Sequence, residues 1–194
     1  MRSVEYVYRD PIEVVWLRTA AEFGMRVERS SAVNAAWDGN GTLLIGTPET
    51  LDADDCPAQM IFHEICHFLT EGPDSFFLPD WGLQMDRGGQ RVREFACLRL
   101  QASLADEFGL RRLLASTTVF RRYYDRLPDD PLADCDDPAA KPARIGRQRA
   151  ETEPTRTHLR RALQATADIA AVIRPYADSD SLWRLAEESH SAVR

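Results

Sequence analysis

The chain has 194 residues, of which 44% are hydrophobic and 28% charged, and 24 Lys+Arg against 31 Asp+Glu give a formal net charge of −7. That size and apolar content suit one domain, or one domain with an appendage, and exclude wholesale disorder. The negative balance repels phosphate backbones, so no nucleic-acid partner is expected, and no stretch approaches the roughly 20 apolar residues of a membrane helix. Residues 1–6 lack the apolar core of a secretory signal. Cys56, Cys66, Cys97 and Cys135 form no CxxC pair and read as reduced thiols of a cytoplasmic protein.

In chain order, Asp10-Pro11 opens a helix expected over about 11–23, with Ile12, Val15, Trp16, Thr19, Ala20 and Phe23 at helical spacing and Gly24 as its stop. The period then shortens. Met25 to Glu28, Ala32 to Trp37 and Thr42 to Gly46 read as strands, with Asp38-Gly39-Asn40-Gly41 as a turn. Cys56-Pro57 after two aspartates starts a second helix, predicted to run to Thr70 and end at Gly72-Pro73. A loop containing Asp80-Trp81-Gly82 leads to a third helix over about Gln90 to Phe108. Further helices are expected at 110–115, 118–127 and 155–174, with a short terminal one near 182–189. Residues 128–154 hold five prolines and several aspartates and read as a flexible connection. The expected division is therefore 1–127 as a metal-binding domain, 128–154 as a connection and 155–194 as a helical extension.

The chemistry sits in Phe62-His63-Glu64-Ile65-Cys66-His67-Phe68. His63 and His67 are four apart, so on a helix their imidazoles lie one turn above each other and can share one metal ion. Glu64, beside them, can reach a metal-bound water and act as general base. This is the HExxH spacing, with a chance frequency of roughly 0.005 in a chain of this length and composition. Ile61, Phe62, Ile65, Phe68 and Leu69 make the rest of that helix apolar, so it packs in a core.

A catalytic zinc usually takes three protein ligands, and no third histidine follows at short spacing. Glu94 is the foremost candidate for the third ligand. It lies in line with Cys97, Leu98, Gln101, Leu104, Ala105 and Phe108, and a carboxylate on such a stripe is expensive to bury unless paired or bound. Asp80 and Asp86 are the alternatives, and Glu107 falls off the stripe. Cys66 and Cys97 read as buried thiols. His158, Tyr123 and Tyr124 are further hydrogen-bond donors, more often found in surface or core roles. Trp81 reads as a loop anchor that can also line a pocket.

His63, Glu64, His67 and Glu94 together resemble the gluzincin metallopeptidases, and the run from Ile12 to Ala105 is similar to the minimal ImmA/IrrE-type domain. That resemblance implies a zincin-like fold, a zinc ion, proteolysis and a protein or peptide substrate. Where that family's glutamate helix opens with a Glu-Ala-Asn-like start, this chain reads Arg93-Glu94-Phe95-Ala96-Cys97. Residues 43–105, with Asp80-Trp81-Gly82 after the second histidine, also resemble elongation factor P hydroxylase. That likeness implies Fe2+ and oxygen-dependent hydroxylation of a protein side chain, and two histidines with a carboxylate suit such a site too. The expected architecture is α+β: a small twisted sheet packed beside the His63/His67 helix, then mostly helical structure. The favoured function is a zinc-dependent hydrolase, with a metal-stabilised regulatory domain of four protein ligands as the non-enzymatic alternative.

Overall fold

Asp10 starts the first helix by accepting the Ile12 N–H at 3.0 Å, and Pro11 fills the first position, where a missing N–H costs nothing. This helix, α1 (Pro11–Glu22), buries Ile12, Trp16, Thr19 and Ala20, and Gly24 at φ +77° turns the chain out of it. The computed structural model describes residues 5–83, 90–115, 119–133 and 136–186. Three strands follow: β1 (Arg26–Ser30), β2 (Ala35–Trp37) and β3 (Thr42–Gly46). They form a sheet of order β1-β3-β2, with β3 parallel to β1 and antiparallel to β2. Asp38 makes the β2–β3 turn, its Oδ1 accepting the N–H of Asn40 at 2.6 Å and of Thr42 at 2.8 Å. The second strand is shorter than the expected Ala32 to Trp37, because pairing with β3 begins only at Ala35.

Helix α2 (Pro57–Glu71) carries the two paired histidines through the centre of the molecule. Gln59 Oε1 reaches back to the Cys56 N–H at 2.6 Å at its start. At its other end, Arg149 Nη1 donates to the carbonyls of Leu69 and Thr70 at 2.6 and 2.9 Å, satisfying two terminal acceptors. Twelve of its residues are buried, with Trp16 of α1 tilted against Phe62 at 4.9 Å between ring centroids. Helix α3 (Gln90–Asp106) packs along it, and Leu43 and Ile45 of β3 complete the same core.

The expected helix at 110–115 is a series of turns. Its apolar spacing reflects Leu110, Leu113 and Leu114 tucking into the core, a requirement that a loop meets as well as a helix does. Among the described residues of 118–127, only α4 (Arg121–Tyr124) is helical. In place of the expected flexible connection, 128–154 contains helix α5 (Ala140–Ala150), packed on α2 and α3. Its contact face is made of small residues, Ala140, Ala143, Gly146 and Ala150, and a Cβ at Gly146 would meet Leu100 at 2.8 Å. Pro142 falls in the first turn, where helices tolerate proline. Small residues and prolines disguise that amphipathic pattern in the sequence.

Helix α6 (Thr155–Ile173) folds back on α1, and Trp16 Nε1 donates to Thr166 Oγ1 at 3.0 Å. Leu159, Ala162 and Leu163 join the core that holds α2, so this stretch shares one core with the part expected to bind metal. A single 3-10 turn, Leu182–Leu185, stands where the terminal helix is expected, and 187–189 lie outside the described residues. No helix among the described residues is long and apolar enough to cross a membrane.

Candidate metal centre

The i, i+4 spacing on α2 turns both imidazoles to one side, and their Nε2 atoms stand 3.1 Å apart. From α3, Glu94 brings Oε1 to 3.3 Å from His67 Nε2 and Oε2 to 3.9 Å from His63 Nε2. All three side chains are buried. They line a cavity of about 270 Å³ together with Glu64, Asp80 and Trp81. Four groups expected at the site, His63, Glu64, His67 and Glu94, are thus brought together.

The hydrogen bonds around His63 fix its tautomer. Gln101 Nε2 donates to the Leu114 carbonyl at 2.7 Å, which turns Gln101 Oε1 toward His63 Nδ1 at 2.9 Å. An amide oxygen only accepts, so Nδ1 carries the hydrogen and Nε2 presents a lone pair to Glu94 and His67. Burial alone would lower the His67 pKa, but the charge and hydrogen bond of Glu94 outweigh it and raise it to about 9. Burial likewise pushes Glu94 upward, and His67 more than reverses this, holding the carboxyl at about 2. His63 is lowered, first by burial and then by the charge on His67.

Three acceptors therefore converge with one proton between His67 and Glu94 to balance them. Glu94 Oε2 and His67 Nδ1 are buried without a hydrogen-bond partner among the described residues. Such a donor set fits a cation. Ligands about 2.05 Å from a tetrahedral ion stand about 3.3 Å apart, close to the 3.1 and 3.3 Å that separate His67 Nε2 from His63 Nε2 and from Glu94 Oε1.

A second grouping shares both histidines. His63, His67 and Cys97 offer ligand atoms within 4.8 Å of one another, all buried, and this group could hold a metal ion. Cys97 Sγ lies 3.6 Å from His63 Nδ1 and 3.4 Å from the His63 carbonyl oxygen. Burial pushes both the Cys97 and the Cys66 thiol well above the ordinary range. Cys97 Sγ lies on the Gln101 side of the His63 ring, so an ion held between Sγ and Nδ1 would have to displace the Gln101 bond.

Several other candidates lie apart from the site or have structural partners. Asp80 borders the cavity, but its Oδ1 accepts the Trp37 backbone N–H at 3.2 Å. Asp86 lies outside the described residues. Glu107 pairs with Arg147 and Arg160, and His158 with Glu22 at 2.9 Å. Tyr123 donates to Asp137 at 2.7 Å and Tyr124 to the Arg111 carbonyl at 2.8 Å. Cys56, Cys66 and Cys97 are free thiols.

Two contributors escape a reading by residue type alone. Gln101 carries the signal that marked Glu94, a polar group on the apolar stripe, two turns further along α3. Arg93 donates to the carbonyls of Trp81 and Gly82 at 3.0 and 2.9 Å and pairs with Glu71, anchoring the Asp80-Trp81-Gly82 turn beside the cavity. Compared with protein-family models, curated proteins and solved structures, the chain matches none.

Proposed function

We propose that this chain is a zinc-dependent peptidase of zincin-like, gluzincin type, with His63, His67 and Glu94 as metal ligands and Glu64 as general base. The observation that carries the reading is the convergence of two Nε2 atoms and one carboxylate at 3.1, 3.3 and 3.9 Å beside a cavity that Glu64 also borders. When bound, the ion supplies Lewis acidity, polarising a carbonyl and bringing the pKa of a water toward about 7. Glu64 accepts the proton as the water oxygen bonds to the carbonyl carbon. It returns that proton to the leaving amine nitrogen as the C–N bond breaks.

A peptide substrate suits the sheet edge. Ala36 faces β3 across the ladder, and alternation turns the N–H and carbonyl of Ala35 away from β3. Ala35 and Ala36 line the cavity, so an extended segment paired to this edge would bring a carbonyl to the histidines. Free thiols at Cys56, Cys66 and Cys97 support a reducing, cytoplasmic setting.

The test is Glu64→Gln. It is expected to bind zinc at the wild-type ratio while peptide hydrolysis falls by roughly 10²–10⁴-fold, the usual worth of a general base. Retained hydrolysis, or loss of the metal, would overturn the assignment. Metal analysis of protein purified without chelator is expected to return zinc. Stoichiometric iron with oxygen uptake would replace the hydrolase with a hydroxylase.

A further inference from the structure

The general base is itself held. Glu64 Oε2 accepts the indole N–H of Trp81 at 2.7 Å, and among the described residues Oε1 accepts no hydrogen bond. The Trp81 ring is 1% exposed and lies flat on Trp37, with centroids 4.7 Å apart and planes 3° from parallel. Trp37 is fixed in turn, its Nε1 donating to the Phe76 carbonyl at 2.8 Å. An indole gripped this way has one direction in which to offer its hydrogen, and Glu64 lies in it.

The backbone beneath it is strained. Asp80 stands at φ 47°, ψ 39° and Trp81 at φ 57°, ψ 20°, two consecutive non-glycine residues in the left-handed region. Such a turn persists only when its surroundings over-determine it. Here Asp80 Oδ1 takes the Trp37 N–H, and Arg93 holds both following carbonyls. A side chain that only filled core volume would not require this conformation. What the turn achieves is delivery of the indole N–H onto Glu64.

We propose that Trp81 is a positioning residue: it fixes Glu64 by one oxygen so that the other is free to take the proton of the attacking water. The proposal rests on Glu64 being the general base. The Asp80-Trp81-Gly82 turn is then a third structural part of the active site, beside the α2 histidines and the α3 glutamate.

The test uses the full chain with zinc bound. Trp81→Phe keeps a ring on Trp37 and removes the donor. It is expected to retain full zinc content, leave KM for a hydrolysed peptide within about twofold, and lower kcat by about 10–100-fold. A kcat within twofold of wild type overturns the proposal, as does a loss confined to KM or accompanied by loss of zinc. A second measurement needs no turnover. In the nitrogen–proton NMR spectrum, Glu64→Gln is expected to move one indole resonance, identified as the one absent in Trp81→Phe, and to leave those of Trp16, Trp37 and Trp183 in place. An unmoved resonance overturns the proposal. A wild-type protein that hydrolyses no peptide overturns the general-base reading and with it this use of Trp81. An active wild type with an equally active Trp81→Phe overturns the Trp81 role alone.

Discussion

Helix α3 carries two polar clusters on opposite sides, each centred on a buried charged residue, and they are built differently. On one side Arg99 donates Nε to Tyr123 Oη at 2.6 Å, Nη1 to the Pro131 carbonyl at 2.5 Å and Nη2 to Asp137 Oδ2 at 3.0 Å. Asp137 also receives the Tyr123 hydroxyl at 2.7 Å and the Ala139 N–H at 2.9 Å. On the other side Glu94 Oε2 has no hydrogen-bond partner among the described residues, and the cluster opens on a cavity. Buried polar groups are normally satisfied, so the complete cluster reads as structure and the incomplete one as a group that could hold an ion. Size does not make that distinction. Two larger hollows, of about 650 and 420 Å³, lie around Arg111 and Tyr123, and both of those residues already have protein partners.

Breaking the complete cluster should produce the largest effect. Arg99→Ala leaves the Asp137 carboxylate and the Tyr123 hydroxyl facing an empty slot. Removing one partner of a buried pair costs about 3–5 kcal/mol. Asp137 keeps a quarter of its side chain exposed, so the low end, about 3 kcal/mol, is expected. Urea denaturation measures it, and a loss below about 1 kcal/mol would mean that this cluster is a solvated patch and that the contrast with Glu94 is unsound.

That contrast also explains what a reading of residue types can and cannot reach. His63, Glu64 and His67 are legible because a four-residue step on a helix is geometry written in one dimension. Glu94 is legible because burying a carboxylate in an apolar stripe needs a reason. The ends of α1 and α2 are legible because Asp10-Pro11, Gly24, Cys56-Pro57 and Gly72 impose local backbone conformations. Helix α5 is not, since alanines and a glycine bury little apolar area each and become a packing face only when α2 and α3 are already there. The partners Gln101–His63 and Trp81–Glu64 are equally hidden, being pairs 38 and 17 residues apart whose meeting depends on how helices cross.

Gln101 provides a smaller effect within the open cluster. It holds the hydrogen on His63 Nδ1, and the loss of such an outer partner typically weakens metal binding 10–100-fold. Gln101→Leu is expected to fall in that range for zinc, measured by competition with a chromophoric chelator. It should also soften the 110–115 segment, whose Leu114 carbonyl loses its donor. Unchanged zinc affinity would mean that the Gln101 bond does not govern how His63 meets the ion.

The smallest effect is graded by pH and tests the same choice without a large change in structure. In the metal-free protein Glu94 keeps a proton on His67 up to about pH 9, and this shift stabilises the fold below the ordinary imidazole pKa and is lost as pH rises through about 9. Zinc needs that nitrogen bare, so between pH 7 and 9 each ion bound should release one proton and apparent affinity should rise about tenfold per pH unit, about 1.4 kcal/mol. Calorimetry in buffers of different ionisation enthalpy counts the proton. Glu94→Gln removes the charge that holds it. Burial then opposes the proton with only the weaker pull of Glu64 and Glu71 against it, and the slope should flatten although binding is weaker. A slope that survives in Glu94→Gln would mean that the proton belongs to another ligand. The raised Cys97 thiol, grouped with both histidines, is the group that would then have to ionise.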